Sequence, residues 1–268
     1  MIIKTGAVMI KAGIMQSFAY RASGFLLMLL NNLLYLALIY FLWKGIFNSN
    51  NIELLNGMTF NQTLLYLGLA VALQPIVETY VIWQMSADIL TGQISLHIVK
   101  PISYQTYLFF LMIGENLITT LVVFLPTFVI VYFLTNSFVV LSYNILLFVI
   151  SILISIIINY LVGFIVGTFC LYVQSPAGLD NMRMIVVFLL SGAIIPIAFF
   201  PELLRSVVML LPFQAIYNAP LQFLLSSGIN LNEIIHTFAN QLFWVIILYG
   251  LSKIIWSISI KKITVNGG

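Results

Sequence analysis

The stretch Gln84–Gln105, QMSADILTGQISLHIVKPISYQ, separates two long apolar segments and decides how the rest of the chain is interpreted. Ser86 and Asp88 predict a helix start, because short polar side chains cap the free N–H groups of a first helical turn. Gly92 interrupts that helix, and Lys100-Pro101 ends the element, since the residue before a proline disfavours the α conformation. The apolar side contains Ile94, Leu96, Ile98 and Val99, and the polar side contains His97 and Lys100. Residues 87–101 therefore form a short amphipathic element suited to binding another protein.

The composition places this element between membrane spans. Of the 268 residues, 62% are hydrophobic and 6% are charged, and the mean hydropathy is +1.15. A soluble domain carries about 25% charged residues. We therefore predict an all-α integral membrane protein with a single transmembrane domain over residues 1–268. The net charge of +3, without a basic block interleaved with aromatic residues, argues against binding to nucleic acid.

Six transmembrane helices are predicted, because about 20 apolar residues are needed to cross a bilayer. Five of these spans are Phe25–Trp43, Thr63–Trp83, Tyr107–Leu134, Ile145–Val173 and Phe238–Ile260. Before them, residues 1–21 have apolar residues at helical spacing, with Lys4 and Lys11 on another face. That pattern predicts an N-terminal interfacial helix in contact with membrane lipid.

The remaining span, Met184–Phe200, is short and interrupted, and the whole region 184–237 is broken by prolines. They are Pro196, Pro201, Pro212 and Pro220. The apolar pieces between them are too short to cross a bilayer, so we predict broken or re-entrant helices that enter one leaflet.

The basic residues predict the orientation of the chain. If the N-terminus is inside, eight of the ten fall on the inner side: Lys4, Lys11, Arg21, Lys100, Arg183, Lys253, Lys261 and Lys262. Only Lys44 and Arg205 fall outside. Since cytoplasmic loops are enriched in lysine and arginine, both termini and residues 87–101 are predicted to be cytoplasmic, and the broken region faces outward.

Motifs for catalysis are not found in this sequence. The two histidines, His97 and His236, lie on opposite sides in the predicted topology. The sequence contains no HExxH, no GxSxG and no GxxxxGK[ST] phosphate loop. We therefore assign no catalytic residue and no metal site, and interpret the single cysteine, Cys170, as a small buried hydrophobe.

Several polar residues lie inside the predicted spans. They are Asn31, Gln74, Glu78, Glu115 and Asn159. An acid in the membrane is costly, so Glu78 and Glu115 are candidates either for a translocation pathway or for structural polar contacts. The structural alternative, an ion pair with Arg21 or Arg183 or a hydrogen bond to an asparagine, is favoured.

A stripe of small and polar residues follows one face of the fourth span. Its members, each four residues after the last, are Ser151, Ser155, Asn159, Gly163 and Gly167. Close helix packing explains such a stripe better than a transport pathway does. Asp180 and Arg183, beyond this span, are interpreted as a solvated turn and helix start.

The loop Gly92–Pro101 is similar to a G-x-x-x-x-x-L-x-K-P pattern, with Ile98 at the leucine position. Together with the order of elements, it resembles the permease subunit of ABC-2 type (type V-like) bacterial ABC transporters. The resemblance implies that residues 87–101 are a coupling helix between spans 2 and 3 that contacts a separate ATPase. The contact residues it implies are Asp88, Gly92, Gln93, His97, Lys100 and Pro101. The prolines of the 196–225 region would then belong to outer gate helices before span 6.

The same resemblance implies two copies of the ATPase, which would bind the ATP and Mg²⁺, so that this chain holds no cofactor. It also implies a second permease, identical or a sister subunit, and a location in the bacterial cytoplasmic membrane. Members export drugs, antimicrobial peptides, lipids or glycans, and the few charges in these spans favour a hydrophobic or amphiphilic substrate.

Two alternatives of other classes stay open on the sequence. One is an intramembrane enzyme with Glu78 and Glu115 as an acid–base pair, which lacks a nucleophile or metal cluster. The other is a non-transporting scaffold or immunity protein that sequesters an amphiphile.

Overall fold

The computed structural model describes residues 2–19, 22–49, 53–135, 144–173, 175–226 and 228–262, and these are overwhelmingly helical. Within them, the one β-type pairing is an isolated bridge between Leu55 and Met58. The helices are α1 (Ile2–Ala19), α2 (Ala22–Ser49), α3 (Phe60–Val77), α4 (Val81–Leu90), α5 (Gln93–Ile98), α6 (Tyr104–Thr119), α7 (Leu125–Thr135), α8 (Asn144–Thr168), α9 (Pro176–Leu190), α10 (Glu202–Leu210), α11 (Gln214–Leu225) and α12 (Leu231–Ser259).

Several of these helices are long and apolar enough to cross a membrane. Among the described residues there are five such runs: Gly24–Ser49, Phe60–Leu90, Tyr104–Thr135, Asn144–Leu171 and Leu231–Ser259. A sixth is obtained if α10 and α11, which are bent by 102°, count as one span. The prediction of an all-helical, multi-pass membrane protein is therefore confirmed, with five or six candidate spans.

The fifth predicted span is displaced in the structure. The helix in this region begins at Pro176 rather than Met184 and ends at Leu190, before a turn that contains Gly192 at a φ of +84°. Proline is favoured in the first helical turn, because its missing N–H has no partner there. The predicted bounds Met184–Phe200 are therefore wrong, whereas the predicted interruption of this segment is present at Gly192.

The second span is broken, which the sequence did not predict. A capping box of Thr59 and Gln62 begins α3, which ends at Val77, and α4 begins only at Val81. The predicted helix start at Ser86–Asp88 is also wrong, because α4 passes through these residues without interruption.

The third span contains a π-helical segment, Thr120–Phe124, between α6 and α7. Pro126 lies two residues after this segment, and its ring would clash with the carbonyl group four residues earlier in a regular α-helix. A widened turn removes that clash while the Leu125 N–H still donates to the Thr120 carbonyl. The third span therefore accommodates Pro126 through a π-segment.

Helix α8 lies at the centre of the bundle, in contact with α3, α4, α9, α11 and α12. All five members of its predicted stripe are buried. Ser155 donates to the Ala215 carbonyl of α11 (2.9 Å), and Gln241 of α12 donates to Ser151 Oγ (2.9 Å). A Cβ at Gly163 would lie 2.8 Å from the Thr79 side chain. The stripe packs within the bundle, as the favoured interpretation predicts.

Three of the four predicted outer prolines lie between helices, where the chain is broken. Pro196 precedes a short 3-10 turn, Pro201 precedes α10, and Pro212 lies between α10 and α11. Pro220 instead lies inside α11. Helix α10 exposes most of its apolar side chains, whereas α11 is buried along most of its length. This difference in burial between α10 and α11 is expected for a broken segment. The location of the segment on the outer side of the membrane stays a prediction.

Helix α1 crosses α6 at two glycines. A Cβ at Gly114 would overlap the Ile10 carbonyl oxygen, and a Cβ at Gly13 would overlap the Leu111 carbonyl oxygen. Glycine is therefore required at both positions for this close approach of two backbones. The predicted N-terminal helix is present, and it is held against the third span.

Gly114→Ala is expected to destabilise the protein by about 1–3 kcal/mol, because the new methyl group must push α1 away from α6. Thermal unfolding of the purified protein in detergent measures this as a lower midpoint. Gly250→Ala is the matched control, since Gly250 lies within α12 with nothing within 4 Å of its Cβ position. An equal response of the two variants would contradict the crossing.

Candidate functional site

The element between the second and third spans begins at Gly92. This glycine has a φ of +71°, a left-handed conformation that glycine adopts without strain. Its carbonyl accepts a hydrogen bond from Ser95 Oγ (2.7 Å), while Thr91 Oγ1 donates to the Ala87 carbonyl (2.7 Å). Gly92 therefore turns the chain sharply from α4 into α5.

Two of the predicted contact residues point inward and anchor the element. Asp88 is 2% exposed and accepts hydrogen bonds from Tyr104 Oη (2.7 Å) and Gln84 Nε2 (2.9 Å). His97 is 7% exposed, and its ring centroid lies 4.2 Å from that of Tyr107. Asp88 and His97 thus fasten α4 and α5 to the start of α6.

The surroundings of His97 favour its neutral form. Burial lowers its pKa, and the Lys100 ammonium lowers it further against the opposing effect of Asp88. Lys100 Nζ donates to His97 Nδ1 (3.3 Å) and lies 5.6 Å from the centre of the Tyr107 ring. Because the folded-state pKa is depressed, this packing contributes stability above the ordinary pKa of histidine, and the contribution is lost as the pH falls below that value and through the lower folded-state pKa.

The other side of the element is exposed. Leu96 is 67% exposed and Val99 is 86% exposed. Gln93 and Lys100 are exposed beside them, at helical spacing of three and four residues. We call these four residues the α5 face. It is an apolar surface with a polar rim, carried on an element that the buried residues Asp88 and His97 anchor.

A buried charge cluster lies at the break in the second span. Arg183 Nη2 is 2.9 Å from Glu78 Oε1, and Arg183 Nε donates to Asp180 Oδ1 (3.0 Å). Arg183 Nη1 donates to Asn159 Oδ1 (3.3 Å), and Trp83 Nε1 donates to Asp180 Oδ2 (2.9 Å). These five residues join spans 2 and 4 to α9, and Arg183 itself is only 4% exposed.

Side chains from other spans satisfy the carbonyl groups at this break. Asn116 donates to the carbonyl groups of Ile76 and Glu78. Thr119 donates to the carbonyl group of Pro75, and Asn159 donates to that of Val77. Irregular backbone inside a membrane protein requires such internal partners, because lipid offers none.

The interpretation of Asp180 and Arg183 as a solvated turn is wrong, since both are buried in the charge cluster. The Glu78–Arg183 ion pair, by contrast, was one of the structural contacts predicted for Glu78, and it is present. This ion pair was predictable because only 6% of the residues are charged. An arginine and an acid that lie near the same side of the membrane therefore tend to pair. No sequence pattern indicates that Trp83 belongs with them.

Glu115 lies elsewhere, on the wall of a cavity of about 450 Å³ formed by α1, α2, α4 and α6. The lining includes Gln16, Phe25, Tyr80, Trp83, Gln84 and Glu115. Among the described residues, none is found to form a hydrogen bond or ion pair with the Glu115 carboxylate. Its other predicted partner, Arg21, lies outside the described residues.

The remaining predicted polar residues are not brought to one place. Asn31 is exposed on α2, and Gln74 lines a small second cavity of about 20 Å³ beside Tyr35 and Tyr217. Asn159 belongs to the charge cluster. Within the described ranges, no group of three or more histidine, cysteine, aspartate or glutamate side chains is arranged to hold a metal ion.

Arg183→Met is expected to destabilise the protein by about 3–5 kcal/mol, because it leaves the Glu78 and Asp180 carboxylates buried without their cation. The thermal unfolding midpoint in detergent measures the loss, and adding Glu78→Gln to Arg183→Met should recover part of it. Arg205→Met, at an exposed position of α10, is the control and should change little. Wild-type stability of Arg183→Met would refute the importance of the cluster.

Comparison with known proteins identifies the family to which this arrangement belongs. The model of the ABC-2 family transporter protein matches residues 33–267, which is most of the chain and includes the α5 face and the charge cluster. A comparison with curated protein sequences finds no match. The match covers far more than half of the sequence, so this chain belongs to the ABC-2 transporter family.

Proposed function

We propose that this chain is the membrane-spanning permease of an ATP-driven exporter and that a separate ATPase subunit binds its α5 face. Family membership makes it a transport component of an ABC transporter, a class in which ATP is hydrolysed by a partner subunit. The observation that carries the proposed docking site is the exposure of Leu96 and Val99 on an anchored element. Exposed apolar surface with a polar rim is typical of a protein-binding site.

The anchoring of α5 suits it to transmit movement. Asp88 and His97 fasten the element to Tyr104 and Tyr107, so a partner that moves α5 also moves the start of the third span. At its other end α4 leads into the break of the second span. A rigid element connected to two spans supports transmission by rigid-body motion, one of the established forms of conformational change.

The proposed partner assembly is the one expected for a member of this family. We infer two ATPase copies that bind ATP and Mg²⁺, and a second permease that is identical to this chain or a sister subunit. The excess of basic residues on one side supports cytoplasmic termini and a cytoplasmic α5, in a bacterial cell membrane. On the opposite side, the bent pair α10 and α11 would form the outer gate, with Pro201 before α10 and Pro212 between the two helices.

The intramembrane-enzyme alternative has less support. It requires Glu78 as an acid or base, and this carboxylate is paired with Arg183 at 2.9 Å. Glu115, its proposed catalytic partner, lines a cavity whose lining does not include Glu78.

Charging the α5 face is expected to abolish binding of the ATPase. Leu96→Asp combined with Val99→Asp replaces two exposed apolar contacts with anions and leaves the inward anchors intact. Co-purification of the tagged permease with its ATPase should then fall at least tenfold, since central interface residues dominate binding energy.

The matched control is Leu54→Asp combined with Leu231→Asp, two exposed leucines on the predicted outer side. It should retain the ATPase at the native level. Undiminished co-purification of the α5 variant, with normal expression of both pairs, would contradict the docking site.

The predicted orientation has a separate test that uses the single cysteine. Cys170 is buried, so the native chain should react poorly with a membrane-impermeant maleimide. On intact cells, Leu54→Cys should be labelled, whereas Thr91→Cys at the exposed end of α4 should be labelled only after permeabilisation. Labelling of Thr91→Cys on intact cells would reverse the topology and remove the ATPase from its proposed site.

A further inference from the structure

The cavity that contains Glu115 has the size and walls of a ligand site. Its volume of about 450 Å³ lies within the range of roughly 300–1,000 Å³ that is usual for small-molecule pockets. Helices α1, α2, α4 and α6 form its walls, so residues of one chain supply its lining.

The walls are chemically asymmetric. Most of the lining is apolar or aromatic, including Phe25, Met28, Leu108 and Met112. Glu115 is the one charged residue among the described lining residues. A ligand with a long apolar body and a single positive group complements both features. A carboxylate beside apolar walls, with no hydrogen-bond or ion-pair partner found among the described residues, favours a cation over a neutral or anionic group.

Aromatic side chains strengthen this preference. Tyr80 and Trp83 line the same cavity as Glu115. The faces of aromatic rings attract cations, most of all quaternary ammonium groups. Trp83 is also fixed in place by its hydrogen bond to Asp180, which makes this wall a preformed surface.

A polar contact lies among the residues that line the cavity. Gln16 Nε2 donates to Gln84 Oε1 at 3.4 Å, joining α1 to α4. Ala87, one turn further along α4 from Gln84, lines the cavity and is exposed at its edge. The cavity is thus open beside Ala87, where a bulky side chain would obstruct it without disturbing the packed interior.

We propose that this cavity binds a single-chain amphiphile with a cationic head group, with the head beside Glu115 and the chain against the apolar walls. Binding is a property of this chain alone. That the bound amphiphile is the transported substrate rests on the proposed export function.

Binding of radiolabelled dodecyltrimethylammonium to the native protein in lipid nanodiscs tests the proposal, with empty nanodiscs subtracted. Saturable binding is expected, and radiolabelled dodecanol, which has the same chain and no charge, should bind at least tenfold more weakly. Glu115→Gln should reduce the affinity for the cation about tenfold or more while leaving dodecanol unchanged.

Two further variants separate the carboxylate from general effects. Glu53→Gln removes an exposed carboxylate outside the cavity and should bind both probes as the native protein does. Ala87→Phe, at the exposed edge, should weaken the binding of both probes.

Three results would overturn the proposal. The first is the absence of saturable binding to the native protein, and the second is equal binding of the cation and dodecanol. The third is a preference for the cation that emerges only after Arg21→Gln, because that result would mean that the chain itself neutralises Glu115. The assay contains neither ATPase nor nucleotide. If the proposed export function is wrong, the native protein will not bind an ATPase. If the present proposal is wrong, the native protein will not bind the cation more tightly than dodecanol.

Discussion

The structure depends on how the free backbone carbonyl groups of a broken transmembrane helix obtain hydrogen-bond donors. Between Val77 and Val81 the second span loses its regular hydrogen bonds, and each unsatisfied carbonyl group would cost several kcal/mol in lipid. The side chains of Asn116, Asn159 and Thr119 supply the missing donors from the third and fourth spans. The break therefore holds three spans together, and the bundle cannot shift one of them without exposing backbone.

The charge cluster follows from the same constraint. The break places Glu78 in the interior, where an isolated carboxylate would be very costly, and Arg183 offsets that cost. Asp180 and Trp83 then complete the hydrogen bonding of the guanidinium and of the second acid. Because Arg183 lies on α9 and Glu78 lies in the second span, their ion pair joins α9 to the bundle through electrostatics as well as packing.

The sequence predicts those parts of the fold that depend on residues close together in the chain, such as apolar helices and glycine turns. Apolar runs located the first, third, fourth and last spans, and Gly92 marked the corner before α5, where a left-handed residue is needed. The break at Glu78 escaped prediction because its donors, such as Asn116 and Asn159, lie about 40 and 80 residues away in sequence. Asp180 and Arg183 were misplaced for the same reason: their burial depends on partners in other spans, whereas their neighbours Ser175 and Pro176 are typical of a surface turn.

The π-helical segment in the third span has a consequence for evolution and design. A π-turn accommodates one more residue than an α-turn, so the side chains after Thr120–Phe124 are rotated by about 100° relative to an uninterrupted helix. This rotation allows α6 to face α1 through Gly114, while α7 faces α3, where Val131 meets Gly68. One continuous span thus packs against two neighbouring helices, α1 and α3, on different sides. Deleting a single residue of Thr120–Phe124 would rotate α7 relative to α6, so that the span could pack correctly against only one of these two helices.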